Sequence, residues 1–202
     1  NNKEMHLKGE KYEIGRSELP ENSNVVFEAG SEIDIGVGGI EVKGTLKIEG
    51  TDEKRCKIKG SRKIEGTETG NIEISKTDIE ISVPSYETGA IISRSGKIKL
   101  DGVVNKDEKK PNIIASSAKE VEIINSELRE IQIGNKVDSG ENRVKINSNK
   151  ITKIAYTPNK DSIAEIKNNV GINVAAILQI ELNKGAPDNI FENIEGNSLE
   201  NE

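Results

Sequence analysis

Apolar and polar residues alternate in very short units along most of the chain, and glycine or a polar turn follows each unit. Within the stretch 31–66 the units are 33–35, 40–42, 46–48 and 56–58. Alternation with a period of two places one face of a segment against a core and the other in solvent, as in a β-strand. The units are too short for helices, so the pattern predicts an all-β chain of short strands.

Six of these units recur at a regular spacing, with centres 26, 26, 23, 23 and 20 residues apart. Repeats of this length are typical of solenoids, in which each repeat is one coil. We therefore predict a single-stranded right-handed parallel β-helix of roughly seven to eight coils, each of about 20–26 residues. A left-handed β-helix would need a hexapeptide rhythm, which the sequence lacks. A β-sandwich, the alternative fold, would need hairpin turns. The central residues are Lys47, Glu73, Lys99, Glu122, Lys145 and Glu165.

These central residues alternate strictly in sign from one predicted coil to the next. If coils stack about 4.8 Å apart, each outward charge lies between two opposite charges. A slip of one coil would bring like charges together, so we expect this ladder to fix the register of the stack.

Asparagine and serine follow three of the same units, at Asn125-Ser126, Ser148-Asn149 and Asn168-Asn169. Asparagine tolerates the left-handed backbone conformation and forms local hydrogen bonds, which suits a tight corner between strands. The spacing predicts a ladder of stacked asparagines along the solenoid. The alternative role, as calcium ligands, would need a glycine-rich nonapeptide repeat containing Asp, which is missing from the sequence.

The pattern divides the chain into an N-terminal cap at 1–24, the β-helix at 25–195 and a polar tail at 196–202. Longer polar segments at 82–89, 105–112 and 136–142 are predicted surface loops, of the kind that carry binding in solenoids. No amphipathic helix follows the last coil, and an uncovered coil presents unpaired backbone groups. We expect further chain or another subunit to stack on this end.

Composition excludes several classes of function. The 202 residues carry 35 acids and 29 bases, well mixed, for a net charge of −6, and aromatic residues make up 2% with no Trp. The sequence lacks a basic stripe with interleaved aromatic residues, the pattern that would indicate a nucleic-acid partner. No apolar run in it approaches the length of a membrane span. The chain opens on Asn1-Asn2, so we expect any targeting segment to have been removed.

The sequence offers no residue that we assign to catalysis, cofactor binding or metal binding. His6 is the sole histidine and Cys56 the sole cysteine, which argues against a histidine-based triad or a zinc site. We interpret Cys56 as a small core residue. The glycine-rich segment 36–39 is not followed by a predicted helix, so it does not indicate a phosphate cradle. The arginines and aspartates show no common coil position in the sequence; they are Arg16, Arg55, Arg62, Arg94, Arg129, Arg143, Asp34, Asp78, Asp101, Asp107 and Asp138.

The segment GIEVKGTLKIEGT at 39–51 resembles the opening coils of right-handed parallel β-helix proteins, and the later units EIINSEL, KINSNKI and EIKNNVG resemble repeats of the pectate-lyase-like superfamily. This resemblance implies a bacterial secreted or cell-surface protein. Coils of this kind serve polysaccharide lyases and hydrolases, phage tailspikes, adhesins and surface proteins, so the fold does not decide the function.

Three functions therefore remain open at the level of sequence. The first is a non-catalytic secreted or cell-surface β-helix that acts as an adhesin-like, scaffold or assembly module, with a surface glycan or a protein as partner. The second is a polysaccharide-acting enzyme, a lyase or a glycoside hydrolase, or a degenerate relative of one. The third is a carbohydrate-binding module, which the absence of Trp disfavours.

Overall fold

The structure, a computed structural model, describes residues 3–67, 69–84, 89–94, 96–105, 113–116, 118–134, 141–171, 178–180, 186 and 189–199. These residues contain 24 β-strands and no helix, which confirms the predicted all-β class. None of the described segments is a helix of the length and apolar character needed to cross a membrane.

The strands of the N-terminal part are β1 (Lys3–Leu7), β2 (Lys11–Glu13), β3 (Ser17–Leu19), β4 (Ser23–Phe27), β5 (Glu32–Asp34), β6 (Ile40–Val42), β7 (Thr45–Glu49), β8 (Cys56–Gly60) and β9 (Ile64–Gly66). Those of the middle part are β10 (Asn71–Ser75), β11 (Thr77–Ile81), β12 (Ile91–Ser93), β13 (Lys97–Asp101), β14 (Val104–Asn105), β15 (Ile113–Ser116), β16 (Glu120–Ile124) and β17 (Glu127–Gly134). Those of the C-terminal part are β18 (Asn142–Asn147), β19 (Lys150–Thr157), β20 (Ser162–Lys167), β21 (Val170–Gly171), β22 (Leu178–Ile180), β23 (Ile194–Glu195) and β24 (Ser198–Leu199).

All described strand pairs are parallel, and they stack as a β-solenoid with three faces. The first face is a sheet whose described strands run in the order β1-β4-β7-β10-β13-β16-β18-β20-β23. A second sheet covers the other two faces, because the eight-residue strand β17 turns through the corner and pairs with both β14 and β15. The predicted parallel β-solenoid is therefore confirmed.

The described chain has about six regular turns with three separate strands, slightly fewer than the predicted seven to eight coils. In two further turns a single long strand, β17 or β19, replaces the second and third strands, and β23 and β24 form a partial last turn. Both long strands interrupt the alternation at the corner, where two consecutive residues are half-buried, at 129–130 and 152–153.

The core is a set of columns in which one aliphatic residue of each turn lies directly above its counterpart in the next. One such column contains Leu46, Ile72, Ile98, Val121 and Val144, and each of these residues is buried. β-Branched side chains pack well in a pleated sheet, and full burial of each contributes roughly 1.5–3 kcal/mol. The low hydrophobic content of the sequence is sufficient because a solenoid needs only this thin core.

Close approach of the backbone at one corner explains a glycine repeat in the sequence. Gly44, Gly70 and Gly96 each precede a strand of the first face at equivalent positions. A Cβ atom on Gly70 would lie 1.9 Å from the carbonyl oxygen of Val42, and one on Gly96 would lie 1.8 Å from that of Gly70. Only glycine allows adjacent turns to approach so closely here.

The N-terminal segment forms the first turn of the stack. Strands β1, β2 and β3 pair with β4, β5 and β6, and the Tyr12 ring contacts Phe27 of the second turn edge to face at 5.4 Å. At the other end, β24 pairs with β21. Of the three predicted surface loops, residues 85–88, 106–112 and 136–140, with Asp107 and Asp138 among them, lie outside the described residues.

Candidate binding groove and interaction surfaces

The predicted charge ladder lies on the outer side of the first face. The strand registers place Lys47, Glu73, Lys99, Glu122, Lys145 and Glu165 opposite one another on consecutive turns, which confirms the predicted register. The ammonium of Lys99 lies 3.2 Å from a carboxylate oxygen of Glu122, and that of Lys145 lies 3.4 Å from the other oxygen. Hydrogen bonding to Glu122 raises the pKa of Lys99. The outer side of the first face therefore carries lysines and glutamates whose charges neutralise one another.

A column of small polar residues runs inside the corner between the first and second faces. It confirms the predicted asparagine ladder: the backbone N–H of Asn149 donates to Oδ1 of Asn169 at 3.1 Å, and the N–H of Asn169 donates to Oδ1 of Asn197 at 3.0 Å. Each of these three side chains also donates through Nδ2 to a backbone carbonyl of the preceding turn. The residues that precede them, Ser148, Asn168 and Gly196, have positive φ, as the corner requires.

Cys56 belongs to the same corner column, between Ser31 and Thr77. It is fully buried, its thiol donates to the carbonyl of Glu28, and burial raises its pKa. Its interpretation as a core residue is confirmed. A buried thiol with a raised pKa is a poor nucleophile.

His6 lies on β1 with its two ring nitrogens next to two carboxylates, 2.7 Å from Glu4 and 3.3 Å from Glu28. The hydrogen bond to Glu4 raises the pKa of His6. In the part of the chain that the structure describes, no three of the His, Cys, Asp and Glu side chains are grouped as metal ligands would be.

A groove of about 1340 Å³ lies at the corner between the second and third faces of the first three turns. Three corner loops form it, each between two short strands: 14–16 after β2, 35–39 after β5 and 61–63 after β8. Arg16 and Arg62 lie at this corner together with the exposed Val37. The guanidinium Nε of Arg62 donates to the carbonyl of Val37 at 3.3 Å.

The glycine-rich segment 36–39 shapes the floor of this groove. Gly36 and Gly39 have positive φ, which lets the chain leave β5 and enter β6 through a tight turn. A Cβ atom on Gly38 would lie 2.1 Å from the backbone nitrogen of Arg16, so the first and second turns touch here. The segment is a corner between strands, and no helix follows it in the described chain.

Three glutamates stack along one wall of the groove. Glu18, Glu41 and Glu65 are register partners on β3, β6 and β9. Like charges in adjacent turns repel, and basic side chains compensate them: the Lys43 ammonium lies 2.6 Å from Glu18 and 3.7 Å from Glu41, and Glu65 pairs with Lys63 at 2.9 Å and with Arg94.

The lowered pKa values of Asp34 and Glu65 keep these two carboxylates of the groove ionised. Burial alone would raise the pKa of Glu65, but its hydrogen bonds to Lys63 and Arg94 outweigh that effect and lower the pKa. The pKa of Asp34 is lowered by its hydrogen bond to Lys59 and by the N–H of Gly36. Ionised carboxylates can accept hydrogen bonds from hydroxyl groups or bind cations, whereas a general acid needs a raised pKa.

The arginines and aspartates of the sequence are only partly brought together. Arg16 and Arg62 both line the groove, but the strand registers place Arg16 opposite Gly39 and Lys63, so the two arginines do not share a coil position. The sequence did not show that they meet at one groove, because corner loops differ in length from turn to turn. Arg55 instead binds Asp78 at 2.9 Å and the carbonyl of Gly102, and Asp34 and Asp78 face lysines on the adjacent turns.

Compared with known proteins, the chain matches no protein-family model, no curated protein and no solved structure. The description of the groove therefore rests on the geometry of this chain alone.

Proposed function

We propose that this chain is a non-catalytic β-solenoid module of a secreted or cell-surface protein, with an adhesin-like, scaffold or assembly role. The observation that carries the proposal is the pairing of carboxylates with lysine and arginine, on the first face and inside the groove. In these pairs each carboxylate lies beside an opposite charge, an arrangement that stabilises a stack. The pairing of Asp34 and Glu65 with basic groups leaves their carboxylates unsuited to proton transfer.

The resemblance of segment 39–51 and of the later asparagine-containing units to the pectate-lyase-like superfamily supports a bacterial secreted or surface address. Proteolysis of intact cells of the source organism tests this address. We expect the protein to be digested without cell lysis, while a cytosolic marker survives. Protection of both proteins until lysis would contradict the proposal.

A polysaccharide-acting enzyme is the second candidate, and the groove favours it. The stacked Glu18, Glu41 and Glu65 lie on one wall, and Arg16 and Arg62 lie at the same corner. Such a surface could hold a hydroxyl-rich chain through side-chain hydrogen bonds. The lowered pKa of Glu65 supports binding over hydrolysis, because cleavage of a glycosidic bond needs a protonated carboxylic acid.

One assay separates the two candidates. The protein is incubated with acidic and neutral polysaccharides, and new reducing ends and the ultraviolet absorbance of unsaturated products are measured. We expect no increase over the buffer blank. Turnover that disappears in Glu41→Gln and persists in Glu53→Gln, an exposed carboxylate away from the groove, would establish the enzyme instead.

A further inference from the structure

The apolar core of the stack is incompletely covered at both ends. Leu7 and Tyr12 point inward from the first turn and are only partly buried, whereas their counterparts in the second turn, Phe27 and Ile33, are each 2% exposed. At the opposite end Leu199 is 42% exposed. Among the described strands, β1 and β2 lie at the ends of their sheets, as do β23 and β24, so each offers a free backbone edge.

The two ends have the same register. The inward column that begins with Leu7 on β1 continues turn by turn to Ile194 on β23. The column that begins with Tyr12 on β2 ends with Leu199 on β24. One more parallel rung after β23 and β24 would therefore have the path and direction of β1 and β2.

The charges at the two ends are complementary in this register. Glu195 follows Ile194 in the last turn, is exposed, and pairs with Lys167 of the preceding turn at 2.9 Å. Lys8 follows Leu7 at the same position of the first turn and is also exposed. Addition of a first turn after the last would continue the sequence of charges as Lys167, Glu195, Lys8.

The corner column of polar residues is complementary as well. Asn197 ends the asparagine ladder. Its backbone N–H occupies the position from which the N–H groups of Asn149 and Asn169 each donate to the side chain of the next turn. In the first turn the residue in register with this column is Glu10, whose carboxylate is an acceptor. A second copy would thus bring an acceptor to the end of the ladder.

We propose that a second copy of this chain stacks on the C-terminal turn head to tail, with its β1 and β2 added beside β23 and β24. The backbone edges form the parallel hydrogen bonds of an additional rung, as in β-strand addition. Because the contact joins two different surfaces, it does not close on itself, and association produces linear stacks rather than a fixed dimer.

Sedimentation velocity of the 202-residue chain over a range of concentrations tests this proposal. We expect the weight-average mass to rise with concentration, without a plateau at the dimer. The variants Lys8→Glu and Glu195→Lys each place like charges across the junction, and each should weaken association by at least about fivefold. The 1:1 mixture of these two variants restores opposite charges at every junction, so association should return to the level of the unaltered chain.

Two control variants, Glu53→Lys and Lys54→Glu, reverse exposed charges at a corner in the middle of the stack and should leave association unchanged. Recovery in the mixture also separates a junction effect from misfolding, because two misfolded variants would not rescue each other. A monomer at all concentrations, or oligomers that neither end variant weakens, overturns the proposal. This inference rests on the proposed assembly role. Failure of the stacking proposal can be distinguished from failure of the proposed function, because the polysaccharide assay does not depend on association.

Discussion

At the scale of single residues, the asparagine column is where the fold depends most on individual side chains. Asn169 is fully buried, and its side-chain amide bonds to the preceding turn and, through Nδ2, to Oδ1 of Asn197 in the following turn at 2.8 Å. Its Nδ2 donates to the carbonyl of Ile146 at 2.8 Å, and its Oδ1 accepts from both the N–H and Nδ2 of Asn149. A buried polar group that loses its partner costs about 1–3 kcal/mol, so these bonds are difficult to replace.

We expect Asn169→Ala to lower the free energy of unfolding by about 2–4 kcal/mol, because it removes the buried hydrogen bonds that this side chain makes to the carbonyl of Ile146 and the N–H of Asn149. Urea denaturation followed by circular dichroism measures this. Asn193→Ala, at an exposed position whose side chain has no role in the column, is the matched control and should change stability by less than about 0.5 kcal/mol. Equal losses in the two variants would show that the column does not stabilise the fold.

The sequence predicted part of this column for a physical reason. Asn149 and Asn169 could be placed because asparagine and serine mark tight corners, where their side chains bond to the backbone. Cys56 and Val103 occupy the same column, yet neither residue type favours a corner, and only the strand registers show their position. The column begins with Ser31 and ends with Asn197, and its residue type changes along its length. A sequence pattern therefore has no single residue type to detect.

At the scale of strands, the first face combines an apolar inner column with a charged outer column. Lys99 is central to the outer column: it pairs with Glu122 at 3.2 Å and Glu120 at 3.5 Å, and its register partner on the other side is Glu73. An exposed pair contributes less than about 1 kcal/mol. The column matters more for register, because a shifted strand would meet like charges.

Reversal of the central charge tests this column. We expect Lys99→Glu to lower the free energy of unfolding by about 1 kcal/mol, because it adds a carboxylate among three others. The difference from the unaltered chain should shrink in about 1 M NaCl, where charges are screened within about 3 Å. Lys54→Glu, at an exposed corner, should have little effect at either salt concentration. A loss in Lys99→Glu that persists at high salt would point to packing rather than charge.

Prediction succeeded for the first face and failed for the groove, and strand length explains the difference. Strands of the first face have five or six residues in most turns, long enough to show alternation. The third face begins with strands of three residues. Arg16, Val37 and Arg62 reach the groove from corner loops, whose lengths and residue types do not repeat.

At the scale of the whole molecule, paired charges set the response to pH. The pKa of Glu120 is lowered by its hydrogen bond to Lys97, and the hydrogen bonds of Glu65 to Lys63 and Arg94 lower its pKa against the effect of burial. A carboxyl whose folded pKa lies below its unfolded value stabilises the fold above the unfolded pKa. That contribution is lost as the pH falls through the folded pKa.

The lysines act at the opposite end of the pH scale. The pKa of Lys43 is raised by its hydrogen bond to Glu18, and that of Lys99 by its bond to Glu122. A raised lysine pKa gives stability that is complete below the unfolded value of about 10.4 and is lost only as the pH rises through the folded pKa. The ion pairs therefore contribute fully across the neutral range.

We expect stability to be nearly constant near neutral pH and to fall steadily once the pH drops below about 4.3, the unfolded pKa of glutamate. Thermal unfolding followed by circular dichroism at a series of pH values measures this. The double variant Glu65→Gln/Glu120→Gln should be less stable than the unaltered chain at neutral pH and should lose less stability on acidification, since it has fewer paired carboxylates to protonate. Glu53→Gln, which removes an exposed carboxylate, should follow the curve of the unaltered chain. A double variant whose stability falls as steeply in acid would mean that other carboxylates govern the transition and that the paired columns do not.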